Sequence, residues 1–285
     1  AGEEIGAGTR LEVEAEVGAD GVGRGKPPGE FSRVVMTVEK TNQILGPDKY
    51  DHESRAVEPL AGVGTGLAWT PTGGELLFIE CALTPGCGIV QLTGQLGDVM
   101  KESATLALTW VRSNASELNA LFRGTTTSPD DGDNPFLAVG ERTDLHLHVP
   151  AGAVPKDGPS AGVAIVATLV SLLMDVPIPT EFAMTGEITL RGRVMPVGGV
   201  RDKVLAAHHA NIKHVILPAR NKCDIDELAP EVRLGPGAMR FSFASRIWDV
   251  LEILFHDKLV VQVPGLDSSR RIAERVVPPH LDSAL

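Results

Sequence analysis

Lys156-Asp157-Gly158-Pro159-Ser160-Ala161-Gly162 closes a run of turn formers and opens a strongly apolar stretch. Beyond it, Val163, Ala164, Ala167, Val170 and Ser171, flanked by Ile165, Leu169, Leu172 and Leu173, make a run too long for a strand, so a well-buried helix is predicted. The helix must stop near Asp175, because Pro177 and Pro179 forbid continuation. Ser160 therefore sits at a helix N-terminus. Two roles are open to it. Its hydroxyl can cap orphan backbone N–H groups, or it can act as a nucleophile if a second residue takes its proton.

Downstream, two strands, Ala183 to Leu190 and Arg193 to Val197, are joined through Arg191-Gly192 as a hairpin. Gly198-Gly199 opens a helix to about Ala210 with Val200, Val204 and Ala207 on one face, followed by a strand from His214 to Leu217. Helical Asp224 to Leu228, a strand from Met239 to Phe243 and an amphipathic helix from Ser245 to Phe255 complete this half. Upstream, strands are expected over Val63 to Trp69, Glu75 to Ala82 and Gly88 to Leu92, the first two joined by Pro71-Thr72-Gly73-Gly74. One helix is expected from about Gly97 to Leu118, then an exposed, mobile loop from Arg123 to Glu141 and a strand from Asp144 to Val149.

The first 62 residues read as a separate small module. Leu11, Val13, Ala15 and Val17 alternate with Glu12, Glu14 and Glu16 as in a strand, and a second strand spans Ser32 to Val38 before a short helical turn to Leu45. Gly18 to Gly29 is a glycine-rich loop without an assigned role. Gly25-Lys26 there approaches a phosphate-binding loop, but Asp20 stands where the first glycine is required and Pro27 where the hydroxyl is required. ATP binding at this loop is rejected. A polar linker covers Asp48 to Gly62.

Composition narrows the class. Hydrophobic residues make up 43% of the chain, enough for a buried core, and no run approaches the roughly 20 apolar residues of a membrane span. A net charge of −11 argues against a general nucleic-acid binder. Cys81, Cys87 and Cys223 are an odd set without C-x-x-C spacing, so neither a disulfide framework nor a zinc knuckle is indicated and a reducing compartment is expected. Ala1 to Thr9 lack the features of a signal peptide and read as an internal cut.

A nucleophilic serine needs a base, and two kinds are available. His146 and His148, two apart on a strand, face the same side and invite a metal reading, with His208 as a further ligand. No H-E-x-x-H helix accompanies them. The other candidate is Lys203, on the helix after Gly198-Gly199. Lysine is ordinarily exposed; as a base near neutrality its pKa must fall from about 10.4 to roughly 7 or 8, a differential of some 3 to 5 kcal/mol that burial can supply.

Three ordered blocks weigh toward the lysine: Pro155 to Gly162, Ala183-Met184-Thr185-Gly186-Glu187-Ile188-Thr189-Leu190-Arg191-Gly192, and Pro196-Val197-Gly198-Gly199-Val200-Arg201-Asp202-Lys203. Together they resemble the proteolytic domain of Lon proteases. Gly66-Leu67-Ala68-Trp69-Thr70 and Leu92 to Ser103 extend the resemblance, which covers roughly Val63 to Phe255. It implies an α+β fold of mixed strands and packed helices over 63-257, preceded at 1-62 by the end of an ATPase lid and followed by a tail at 258-285. It also implies a serine endopeptidase in which Ser160 is nucleophile, Lys203 general base and Thr185 the hydrogen-bond partner of the lysine. Asp157, Gly158, Pro159 and Ala161 would shape the site.

An uncharged partner suits the lysine, since a carboxylate would hold it as ammonium; Asp157 matters for that reason. The oxyanion donors expected are backbone N–H groups near Ser160 and Ala161, because Pro159 has none. Glycine at 158 and 162 would admit substrate or a neighbouring helix.

The resemblance further implies a homohexamer that degrades unfolded or damaged proteins, with ATP and magnesium bound by the full-length enzyme and no cofactor or metal in this part. Trp110 to Ala115 and Pro150 to Val154 look most like the peroxisomal branch, so a peroxisomal matrix address is expected, with the mitochondrial matrix as alternative. Ser283-Ala284-Leu285 departs from the S-K-L address at its middle residue. Two other readings stay open: a resting, ring-forming interaction module in which Asp157 binds Lys203, and a metal-dependent hydrolase built on His146 and His148.

Overall fold

The computed structural model describes residues 36–46, 59–123, 134–139, 142–150, 156–233 and 238–259. The strand expected over Arg10 to Val17, the glycine-rich loop, most of the expected strand from Ser32 and the tail from 260 lie outside them. The chain divides into two compact units, Ala1–Ser54 and Arg55–Leu285. In the first, helix α1 (Val38–Leu45) starts where the strand was expected to end. Thr37 explains the difference: its Oγ1 accepts the Lys40 backbone N–H at 3.3 Å and caps the helix.

The second unit contains β1 (Val63–Thr70), β2 (Gly73–Pro85), β3 (Val90–Thr93), α2 (Asp98–Ser113), α3 (Ala115–Arg123), α4 (Pro135–Ala138), β4 (Thr143–His148) and α5 (Gly162–Met174). They are followed by β5 (Phe182–Met184), β6 (Glu187–Ile188), β7 (Val194–Met195), α6 (Val200–His209), β8 (His214–Pro218), α7 (Lys222–Asp226), α8 (Pro230–Arg233), β9 (Arg240–Ala244) and α9 (Ile247–Phe255). Seven strands form one mixed sheet in the order β3-β4-β2-β1-β5-β8-β9, and β6 pairs with β7 separately. Antiparallel pairing joins β1 to β2 and β2 to β4; β1, β5, β8 and β9 are parallel neighbours. The fold is α+β.

Alternation along the strands serves both faces of this sheet. Met184 and Ile216 join the larger core with α2, α5 and α9, whereas Leu67, Ala183, Val215, Leu217 and Phe241 join the core under α6 and α7. Helix α5 is apolar all round and is accordingly interior, with every residue from Gly162 to Ser171 buried. It ends at Met174 with Asp175 left-handed (φ 53°), two residues before Pro177.

Three sequence expectations are corrected. The single helix over Gly97 to Leu118 is two helices, because Asn114 leaves helical geometry and its Nδ2 donates to the Trp110 carbonyl at 2.8 Å. The loop over Arg123 to Glu141 is not wholly exposed: Asn134 caps α4 through Phe136 N–H, and Asn134, Phe136 and Val139 are buried. The strand over Ala183 to Leu190 breaks at Thr185-Gly186, where β5 ends in the main sheet and β6 begins the separate hairpin.

Candidate active site

Ser160 lies in a one-turn 3-10 helix, Pro159–Ala161, that leads into α5. It is not a cap. Ala161 occupies the N-cap position of α5, and neither the turn nor the helix has a side-chain cap bond. The half-buried serine is held by its backbone instead: its carbonyl accepts Gly186 N–H at 2.8 Å and Thr185 Oγ1–H at 3.2 Å, while Val163 N–H donates to Gly186 O at 3.0 Å. These bonds lace the turn to the end of β5.

Lys203 approaches from the opposite core, on the first turn of α6. Its residue is 2% exposed and its Nζ donates to Thr185 Oγ1 at 3.1 Å. Thr185, 1% exposed, thus bridges lysine and serine: its hydroxyl proton goes to the Ser160 carbonyl and its oxygen receives the lysine N–H. A second contact of that hydroxyl, to Leu67 O, is longer at 3.5 Å. Burial pulls the Lys203 ammonium down to about 8. Among the described residues no ion pair reaches it. A hydroxyl acceptor satisfies one N–H without the charge that would hold the proton, and leaves the neutral amine a lone pair for another donor.

The Ser160 hydroxyl makes no hydrogen bond among the described residues, Lys203 included. Serine–base hydrogen bonds in unliganded sites often close only around substrate.

Asp157 is exposed and turned to α2, where its Oδ1 accepts Met100 N–H at 3.0 Å. The contact with Lys203 on which a resting form turned is therefore absent among the described residues. The segment is fixed further by Lys156 N–H to Gln95 O at 3.0 Å and Gly97 N–H to Lys156 O at 2.7 Å. Gly158 takes φ 147°, Pro159 is exposed and Ala161 buried; Gly162 packs against Ile188 and Ser103.

His146 and His148 do share a side of β4, but their rings flank a hydroxyl: Thr93 Oγ1 lies 2.9 Å from His146 Nε2 and 2.7 Å from His148 Nδ1. His208 and His209 lie at the last turn of α6, with His209 exposed. The sequence suits Asp157 to a turn or cap role but does not give the partner, a backbone group 57 positions away; a hydrogen bond from Trp69 Nε1 to Asp202 Oδ2 at 2.9 Å was missed altogether. Both residues of that bond stand in blocks of the resemblance, Trp69 in Gly66 to Thr70 and Asp202 beside the lysine, but nothing in the sequence pairs them.

The α+β fold thus sets a half-buried serine and a buried lysine around one threonine hydroxyl. The profile of the Lon protease (S16) C-terminal proteolytic domain matches residues 35–257, and the chain belongs to this family. It is 48% identical over 222 residues to a Lon protease of Anaeromyxobacter dehalogenans, covering 78% of this chain and 24% of that protein. It is 51% identical over 222 residues to the peroxisomal Lon protease homolog 2 of Danio rerio, covering 78% and 25%, and 48% identical over 238 residues to that of Rattus norvegicus, covering 83% and 26%. The chain spans about a quarter of the length of these curated relatives.

Proposed function

We propose that this chain is a serine endopeptidase working through a Ser160–Lys203 dyad, the proteolytic part of a longer ATP-dependent protease. The observation that carries the reading is a buried lysine whose partner is the Thr185 hydroxyl, itself bonded to the Ser160 carbonyl. Ser160 Oγ attacks the scissile carbonyl carbon as its proton passes to Lys203 Nζ. The tetrahedral oxyanion is held by backbone N–H groups of Ser160 and Ala161, at the positive end of α5. Collapse breaks the C–N bond, and Lys203 returns the proton to the leaving amine. Water then attacks the acyl-enzyme with Lys203 again as base, freeing the new carboxylate and Ser160.

Unfolded or damaged proteins are the proposed substrates, within a homohexamer whose ATP and magnesium are bound outside this chain. The peroxisomal matrix is the proposed location, supported by the names of two relatives. Imaging of the tagged full-length protein against peroxisomal and mitochondrial markers tests it, with the mitochondrial matrix as alternative; a signal in neither compartment overturns it. The catalytic reading is tested by hydrolysis of labelled unfolded casein. Activity that survives chelator and is lost in both Ser160→Ala and Lys203→Ala supports it. Activity retained in Ser160→Ala overturns it, and activity lost to chelator returns the metal reading.

A further inference from the structure

Lys203 is only as well placed as the turn of helix that carries it. That turn begins at Gly199, whose left-handed φ of 67° starts α6 without a side-chain cap. The end of β1 holds it instead. Trp69 lies against Gly199 so closely that a Cβ there would stand 2.6 Å from Trp69 Cδ1, and its indole N–H donates to Asp202 Oδ2 at 2.9 Å. On the next strand, Gly74 sits directly under the Asp202 carbonyl. The turn is thus gripped by the β1–β2 hairpin immediately before the lysine.

This grip is unusual for an aromatic residue in that Trp69 remains 55% exposed. Burial alone does not account for a tryptophan there. The indole hydrogen bond and the close approach to Gly199 both fall on the segment from 199 to 202 that opens α6. Asp202 and Lys203 are consecutive on a helix, so their side chains diverge by about 100°. The carboxylate is held on the indole side while the ammonium turns inward to Thr185.

We propose that Trp69 and Asp202 are positioning residues for Lys203, the indole–carboxylate hydrogen bond fixing the first turn of α6 so that the lysine meets Thr185 and Ser160. This rests on the dyad reading above. Neither residue touches substrate in this role. Their loss should slow the proton-transfer step without weakening substrate binding, because small displacements of a base cost rate steeply.

The test is the kinetics of the full 285-residue chain on a fluorogenic peptide, with Trp69→Phe, Asp202→Ala, Asp202→Asn and the double variant Trp69→Phe/Asp202→Ala. Trp69→Phe keeps the ring over Gly199 but removes the donor. It and Asp202→Ala should each lower kcat about tenfold with KM unchanged. Asp202→Asn still offers an oxygen to the indole and should stay within about twofold of wild type. The double variant should be no worse than either single one. Wild-type kcat in Trp69→Phe, or losses that multiply in the double variant, overturns the proposal.

Ser160→Ala and Lys203→Ala run alongside separate the two claims: activity in these sinks the dyad, whereas their silence beside an unaffected Trp69→Phe sinks only the positioning. Amide hydrogen exchange gives a readout independent of turnover. Trp69→Phe should speed exchange over Val200 to Ala207 and leave α5 unchanged; unchanged exchange over α6 contradicts the proposal.

Discussion

Asp157 Oδ1 accepts the backbone N–H of Met100 at 3.0 Å, so the carboxylate three residues before Ser160 is committed to the start of α2. The pairing meets a need on each side. Helix α2 has Gly97 at its N-cap and no side-chain cap of its own, so Asp157 supplies one from another part of the chain. On the other side, the same bond fixes the segment leading to Ser160 and holds a negative charge away from Lys203, which the proposed dyad requires to lose its proton.

Removing that cap should therefore cost both stability and rate. Asp157→Ala is expected to lower stability by about 1 kcal/mol, as for other cap losses, and to reduce kcat. Asp157→Asn, which keeps an acceptor, should restore most of the stability. Gly97→Ala offers an independent approach, because its Cβ would fall 2.4 Å from Asp157 Cγ and displace the side chain. Thermal melts and peptidase rates of the three variants check this; wild-type rates in both Asp157→Ala and Gly97→Ala would refute it.

The rate should follow the lysine. With the Lys203 ammonium pulled down by burial to about 8, the neutral base grows as pH rises through that value. A plot of kcat/KM against pH should therefore climb tenfold per unit below about pH 8 and level above it. An acid limb centred near 6.5 instead would point to histidine.

Stability carries the opposite face of the same burial. The unfolded lysine titrates near 10.4 and the folded one near 8, so from about pH 8 to 10.4 the unfolded chain binds more protons and rising pH stabilises the fold. Below pH 8 both states hold the proton and the full burial penalty applies, at most about 3 kcal/mol. Lys203→Met should abolish activity yet raise Tm at pH 7, with a gain that shrinks as pH approaches 10. Calorimetry at pH 7, 8.5 and 10 measures it; a lower Tm at every pH would contradict the assignment of a desolvation penalty to Lys203.

Thr185 is expected to act through its hydroxyl alone. Thr185→Val keeps the shape but leaves the lysine N–H and the Ser160 carbonyl each short of a partner, a loss of about 1 to 3 kcal/mol and at least tenfold in kcat. Thr185→Ser should preserve both bonds and most of the rate. Equal activities for the two variants would show that the hydroxyl is not used.

The fold was legible where burial is one-sided or complete. Short runs bounded by turn signals placed most strands, and the apolar run after Ser160 placed α5, because these patterns are read over several residues. What was not legible depended on one side chain taking a backbone group a few residues away. Asn114 breaks the helix by taking the Trp110 carbonyl, and Asn134 buries Phe136 inside what composition marked as loop.

The site divides along the same line. Ser160, Thr185 and Lys203 stand in sequence blocks whose resemblance to Lon proteases assigns their roles, and the structure brings Thr185 against both the lysine amine and the serine carbonyl. The helix-start reading of Ser160 erred by one turn, because Gly158 and Pro159 insert a 3-10 turn ahead of α5. That turn removes the capping explanation and leaves the hydroxyl free for chemistry.

The central claim is that Ser160 forms the acyl-enzyme with Lys203 as its base, and intact-protein mass spectrometry after exposure to a fluorophosphonate tests it most directly. The account predicts one adduct, mapped by peptide sequencing to Ser160, forming faster as pH rises through about 8 and absent from Lys203→Ala. An adduct on another residue, or labelling of Ser160 at an undiminished rate in Lys203→Ala, would contradict it.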